Sequence, residues 1–149
     1  MTTGDYDVVM TVVSIRFRDL AHHDRLKEAA RRAGTGVSPL AERLIDEGLR
    51  MEAHPMIVFR SGPAGRRPAL VSGPEVVDVV GTIVGGDLPA AERRQRAVEL
   101  LDVPVAHVDA ALGYYSEFTD EIDAELAVRA AEADAAEAAW RRQRDLLGS

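Results

Sequence analysis

Ser14 and Arg16 stand two residues apart in Val12-Val13-Ser14-Ile15-Arg16-Phe17, the spacing that puts alternate side chains on one face of an extended chain. Val12, Ser14 and Arg16 share a face, with Arg18 next along it, and Val13, Ile15 and Phe17 share the other. A methyl-bearing side chain, a hydroxyl and guanidinium groups in a row can contact base edges in the major groove of DNA, where arginine makes a bidentate contact to guanine. The bland alternative is a strand of an α+β domain with a solvated arginine. A second set of residues, Trp140 with Arg141, Arg142 and Arg144, has the aromatic and arginine make-up that often dominates protein–protein binding. Its bland alternative is an exposed helix or terminus on which Trp140 covers the protein's own core.

Other residues that could do chemistry lack the companions it needs. Asp120, Glu121, Asp123 and Glu125 have no histidine, lysine or phosphate loop beside them, and they read as a solvated helix face rather than a catalytic cluster. Gly62-Pro63-Ala64-Gly65 lacks the lysine and helix start of a phosphate loop. His22, His23 and His107 are isolated, and Tyr114 and Tyr115 sit at helical spacing from Leu112 and Phe118 as core or interface residues. With no cysteine and no ligand spacing among four histidines, neither a metal nor a cofactor is expected, and the chain is not expected to be an enzyme.

The groove-facing trio has to be positioned by the next elements of the chain. Leu20 to Ala33 carries Leu20, Ala21, Leu26, Ala29, Ala30 and Ala33 at helical spacing, with Asp19 as a cap and Gly34 as a stop. Ser38 and Pro39 then open a second helix, with Ser38 as the cap and Leu40, Leu44, Ile45, Leu49 and Met51 on its buried face. A lone strand leaves backbone donors and acceptors unpaired, and a second copy of the same strand is the cheapest cover. Strand and two helices are also too small to bury a core well alone, so a dimer is expected. Residues from about Val12 to Glu52, through V-S-I-R-F, the helix ending R-R-A-G and G-V-S-P-L-A-E-R-L-I-D-E-G-L, resemble a ribbon-helix-helix DNA-binding domain of bacterial repressors and VapB-like antitoxins. The resemblance implies an intertwined dimer whose antiparallel ribbon enters the major groove of operator DNA with Val12, Ser14 and Arg16. It also implies that amides around Gly36, Val37 and Ser38 grip a phosphate, which the helix dipole favours in its own right. Val12 departs from a polar reader and is limited to methyl contacts.

His54-Pro55 marks a domain boundary, because the residue before proline is pushed out of helical geometry. Met56 to Phe59 and Arg67 to Val71 read as strands around the turn Ser61 to Gly65. Helices are expected from Pro74 or Glu75 to about Val84, from Ala90 to Leu101, and from near Val105 with interruptions towards the C-terminus. Through H-P-x-I, G-R-R-P-A-L-V-x-G, a helix ending V-G-G and V-x-H-V-D-A-A-L-G-Y-Y, residues 54 to 118 resemble helix-turn-helix-like domains of antitoxins encoded beside PIN-like ribonuclease toxins. This chain has an inserted Gly-Pro-Ala turn and a longer stretch before Val105. A DNA contact of this domain would fall to Arg66, Arg67, Arg93, Arg94 or Arg96; the duller reading makes Arg93, Arg94 and Arg96 a solvated face.

The net charge of -7 sits mostly beyond His54, while Val12 to Ala33 holds six basic and three acidic residues, so the DNA-facing element is locally positive. A hydrophobic content of 46% suits a folded protein. No apolar run reaches the length of a membrane span, and Asp5 and Asp7 without a basic flank are unlike a secretory leader, so a cytoplasmic protein with no membrane partner is expected. The expected fold is mainly α: a ribbon-helix-helix unit over 1–53, a β-hairpin and helix-turn-helix-like domain over 54–118, and a helical tail over 119–149. Alanine buries little area, so the tail docks weakly on its own protein and suits a partner's groove. The resemblance implies that Trp140 enters an apolar pocket of a PIN-like toxin while an arginine pairs with its metal-binding carboxylates. The function expected is an antitoxin that binds its operator as a dimer and neutralises a ribonuclease. The alternatives are a stand-alone repressor, whose second domain oligomerises or senses a ligand between Val76–Ile83 and Val105–Tyr115, and a second domain that is purely structural.

Overall fold

The computed structural model describes residues 10–148; Asp5 and Asp7, on which the expectation about a secretory leader rests, lie outside them. Among the described residues the chain is mainly helical, with six helices and one two-stranded antiparallel sheet. It divides into two compact units, Met1–Leu44 and Ile45–Ser149. That division falls ahead of the His54–Pro55 boundary read from the sequence, and residues 119–148 group with the hairpin and helices that precede them.

In the first unit, residues 10–17 carry no regular secondary structure. The expected strand at Val12–Phe17 is not formed in the single chain, because strand geometry needs a hydrogen-bonded neighbour and the described residues supply none beside it. Helix α1 (Leu20–Ala33) has the expected ends: the Asp19 carboxylate accepts from Ala21 N at 2.8 Å, and Gly34 adopts a left-handed φ of 63° so that the chain turns back. Helix α2 (Val37–Ala53) starts one residue before the expected cap. Ser38 therefore lies inside the first turn, not at the cap, and Pro39 is tolerated there because amides of the first turn have no helical acceptor. A Cβ on Gly36 would meet Pro39 Cδ at 3.3 Å, which favours glycine ahead of this helix. Only Ala30 and Leu40 are buried among the described residues of this unit.

The second unit has a continuous core. Strands β1 (Ile57–Gly62) and β2 (Gly65–Leu70) pair from Ile57↔Leu70 to Gly62↔Gly65. The hairpin is longer and its loop tighter than expected from the sequence: Pro63 and Ala64 alone make the turn, and Gly65 closes it with a φ of 100°. Helix α3 (Val76–Ile83) opens with Asp78 accepting from Glu75 N at 3.2 Å, and α4 (Ala90–Leu101) and α5 (Val105–Glu117) come next. Ile57, Leu70, Val76, Val79, Val80 and Tyr114 fill the core with side chains that are almost wholly removed from water. The chain breaks at Phe118 and continues as α6 (Thr119–Leu147), whose one fully buried residue is Ile122. Leu126 packs on the same core, and Gly81 of α3 lets it: a Cβ there would meet Leu126 Cδ2 at 3.3 Å.

Candidate functional site

The residues read as base-facing are open to solvent. Val12, Ser14, Arg16 and Arg18 are all exposed, and neither arginine has an ion pair or hydrogen bond among the described residues. The opposite face is as open: Val13, Ile15 and Phe17 are 81%, 54% and 38% exposed. Apolar side chains at period two that meet water on both sides of the chain are stable only when something else covers one side. On α2, Val37, Leu44, Ile45, Leu49 and Met51 are exposed as well. Of the face expected to be buried, Leu40 alone is, because the single chain places nothing over the rest. At the start of α2 the first bonded amide is Leu40 N, to Gly36 O at 3.3 Å. The amides of Val37 and Ser38 precede it and, lacking a helical acceptor, are oriented as an anion-binding helix terminus requires.

Beside the Leu40 and Leu44 face, α2 carries a polar stripe that the period of the helix does not announce. Glu47, Arg50 and His54 recur at three- and four-residue spacing, hence on one face. Glu47, 5% exposed, takes a bidentate pair from Arg66 of β2 at 2.6 and 2.7 Å, and Arg66 also donates to Ser61 Oγ and Phe59 O. Arg50 donates to Tyr114 Oη and Glu121 Oε2, both at 2.8 Å, and to Asp46 Oδ1 at 3.1 Å, with its guanidinium 4.1 Å from the centre of the Phe118 ring. His54 Nε2 meets Glu117 Oε2 at 2.8 Å, and its ring stands edge-on to Tyr114. Burial alone would lower the Arg50 pKa; its hydrogen bonds to Glu121, Tyr114 and Asp46 outweigh that and hold it above the ordinary arginine value. Burial, which outweighs the neighbouring guanidinium, pushes the Tyr114 phenol up to about 12.

These pairs correct two readings of the sequence. The acidic run after Phe118 is not simply a solvated face: Glu121 holds Arg50, Asp123 accepts from Tyr115 Oη at 2.7 Å, and Glu125 pairs with Arg67 and with Arg129. Arg129 also reaches Glu75 and Asp78 of α3, each at 2.5 Å. The arginines offered as a second DNA contact are largely committed inside the unit. Arg66 is held by Glu47 and Arg67 by Glu125, Arg93 donates to Leu88 O at 2.6 Å and Ile83 O at 3.1 Å, and Arg94 pairs with Asp109. The Arg94 guanidinium holds the Asp109 carboxyl below its usual range. Of the five, Arg96 alone has no such partner among the described residues. Helix α5, second of the pair around the turn at Asp102 to Pro104, shows outward Asp109, which pairs with Arg94, and Glu117, which meets His54. The faces Val76–Ile83 and Val105–Tyr115 pack into the core, with Val76, Val80, Val108, Ala111 and Tyr114 wholly buried.

Trp140, Arg141, Arg142 and Arg144 lie together on the distal part of α6, where every described residue from Ala130 onward is exposed. Arg141 pairs with Glu137 at 2.5 Å, and the Arg144 guanidinium lies 4.9 Å from the centre of the Trp140 ring. Trp140 does not cover the protein's own core; it is 56% exposed. Among the described residues no group of three or more acidic or histidine side chains is set to hold a metal ion, and no helix is long and apolar enough to cross a membrane. Compared with protein-family models, curated proteins and solved structures, the chain matches none.

Proposed function

We propose that the chain is an antitoxin-like regulator. Two copies pair their Val12–Phe17 segments as an antiparallel ribbon that binds operator DNA, and the distal part of α6 captures and inhibits a PIN-like ribonuclease toxin. The observation that carries the DNA half is the segment itself, alternating in polarity, exposed on both faces and holding Arg16, with Arg18 just beyond it, neither of which has a partner among the described residues. Pairing with a second copy satisfies its backbone and covers Val13, Ile15 and Phe17, together with the apolar side of α2, while Val12, Ser14, Arg16 and Arg18 face the groove. Phosphate held at the amides of Gly36, Val37 and Ser38 fixes the register. Repression of the chain's own operon results from such binding.

The toxin half rests on Trp140 with its arginines on a helix that leaves them outside the protein's own core. The test has two arms. Binding of a labelled duplex from the chain's own promoter is measured by fluorescence anisotropy, and Arg16→Ala is expected to weaken specific binding by about 1 to 3 kcal/mol with the dimer intact. Co-expression with the product of the adjacent gene, pull-down and a ribonuclease assay then test capture. Truncation after Ala130, which keeps Ile122, Leu126 and Arg129 docked, is expected to retain DNA binding and lose neutralisation. Wild-type DNA affinity in Arg16→Ala, or full neutralisation by the truncated chain, would remove the corresponding half. A stand-alone repressor with a ligand-sensing second domain is the weaker reading, since the faces offered for the ligand are packed together.

A further inference from the structure

The seam by which α6 docks on its own unit does not end where the unit ends. Ile122 is wholly buried, Leu126 packs on the core, and Arg129 is held by Glu75, Asp78 and Glu125. Continued at alternating steps of four and three residues, the same side of the helix carries Ala133, Ala136, Trp140, Gln143 and Leu147. This is the heptad seam of a two-helix contact, and it runs past the last residue its own unit covers. From Ala130 onward every described residue is exposed, and on the seam Trp140 is 56% and Leu147 78% exposed.

We infer that this exposed half of α6 pairs with the same half of a second copy, antiparallel and centred near Ala138. The side chains select the occupant and the direction. One stretch of the arm holds Glu132, Asp134 and Glu137 with no base, and the next holds Arg141, Arg142 and Arg144 with only Asp145. A parallel pair sets like charge beside like, whereas an antiparallel pair sets the acidic stretch of each copy alongside the arginines of the other. Steric fit agrees: centred near Ala138, the Trp140 side chain of one copy packs on Ala136 of the other, the large-against-small match that lets alanine-rich helices approach closely. Centred there, Arg144 of one copy lies level with Glu132 of the other and Arg142 with Asp134. The pairing requires neither DNA nor a toxin. It would screen Trp140 until a stronger ligand for the same face arrives.

The chain contains no cysteine and one tryptophan, which makes the test direct. In the full chain, Ala136→Cys treated with a short bismaleimide is expected to give a covalent dimer, because position 136 lies close to the two-fold axis. Leu147→Cys is expected to give none, since in an antiparallel pair it sits about 27 Å from its own mate. Adding Trp140→Glu to Ala136→Cys is expected to abolish the cross-link while circular dichroism keeps the helix, and Trp140 emission in the wild type shifts to shorter wavelength as concentration rises. A cross-link that fails at position 136, forms equally at 147, or survives Trp140→Glu overturns the inference. None of these readings depends on toxin capture or operator binding, so failure here leaves the functional proposal standing, and its failure leaves this one.

Discussion

The two units treat their apolar and charged residues in opposite ways. Beyond Leu44 the hairpin and the helices after it bury a continuous aliphatic core, and its half-buried charges have partners: Arg66 to Glu47, Arg50 to Glu121, Arg129 to Glu75 and Asp78. Before it, Val13, Ile15 and Leu20 lie open, and Arg16 and Arg18 have no ion pair or hydrogen bond among the described residues. One region holds a core closed within a single copy, and the other leaves most of its large apolar side chains open. An apolar surface left open on a small unit costs solubility and gains nothing for folding. Association with a second copy, as proposed above, would cover that surface.

This contrast can be broken experimentally, and the largest effect belongs to the open unit. Ile15→Asp is expected to abolish dimerisation and melt α1 at concentrations where the wild type is associated, while the second unit still unfolds in its own transition; sedimentation and circular dichroism read the two separately. A variant that stays dimeric would mean that the exposed face is not an interface. In the covered unit, Ile122→Ala is expected to cost about 3 kcal/mol in denaturant unfolding, independent of concentration, through the cavity it leaves. Arg50→Ala is smaller, about 2 kcal/mol, because it removes the hydrogen bonds to Tyr114 and Glu121 and the contact with the Phe118 ring together. Tyr114 sharpens the comparison through pH. Its phenol is raised in the folded state, so the stability it adds is full below the unfolded value near 10 and is lost as pH rises through about 12. In absorbance titration, Tyr114→Phe should remove that late-ionising phenol. The smallest effect is expected at the exposed Arg94–Asp109 pair, where Asp109→Asn should leave the unfolding midpoint unchanged at neutral pH.

Local signals in the sequence carried the parts of the fold that local chemistry decides. Asp19 and Gly34 bound α1 as expected, and Ala90 and Leu101 bound α4. The start of α2 shifted because Pro39 is acceptable anywhere in a first turn, so Ser38 lost its role as cap. The hairpin outran its expected length because Gly62 and Gly65 pair across two loop residues, a geometry that composition alone reads as a longer turn. The stripe Glu47, Arg50 and His54 was illegible for a different reason: its partners, Arg66, Tyr114, Glu121 and Glu117, lie far along the chain, and no period within α2 announces them. Spacing places Val12, Ser14 and Arg16 on one face of an extended segment, but whether that segment forms a strand depends on a second chain and so on nothing within one sequence's own fold. The sequence leaves Trp140 open as a cover for the protein's own core or as an anchor for a partner, and its exposure removes the first.

The way α6 leaves its unit also sets how its outer half melts. A free helix of that length would have to meet the nucleation penalty, which makes short helices marginal in water. Here the docked turns at Ile122, Leu126 and Arg129 supply the nucleus, and the residues beyond need only propagate it. An unpaired arm should therefore fray from Leu147 inwards as temperature rises, giving a sloping, non-cooperative loss of helix ahead of the sharp transition of the body. Amide exchange along it should form a gradient, fastest at the tip and slowest at Ala130, so that the arm behaves as a thermometer whose reading is the length of helix still wound.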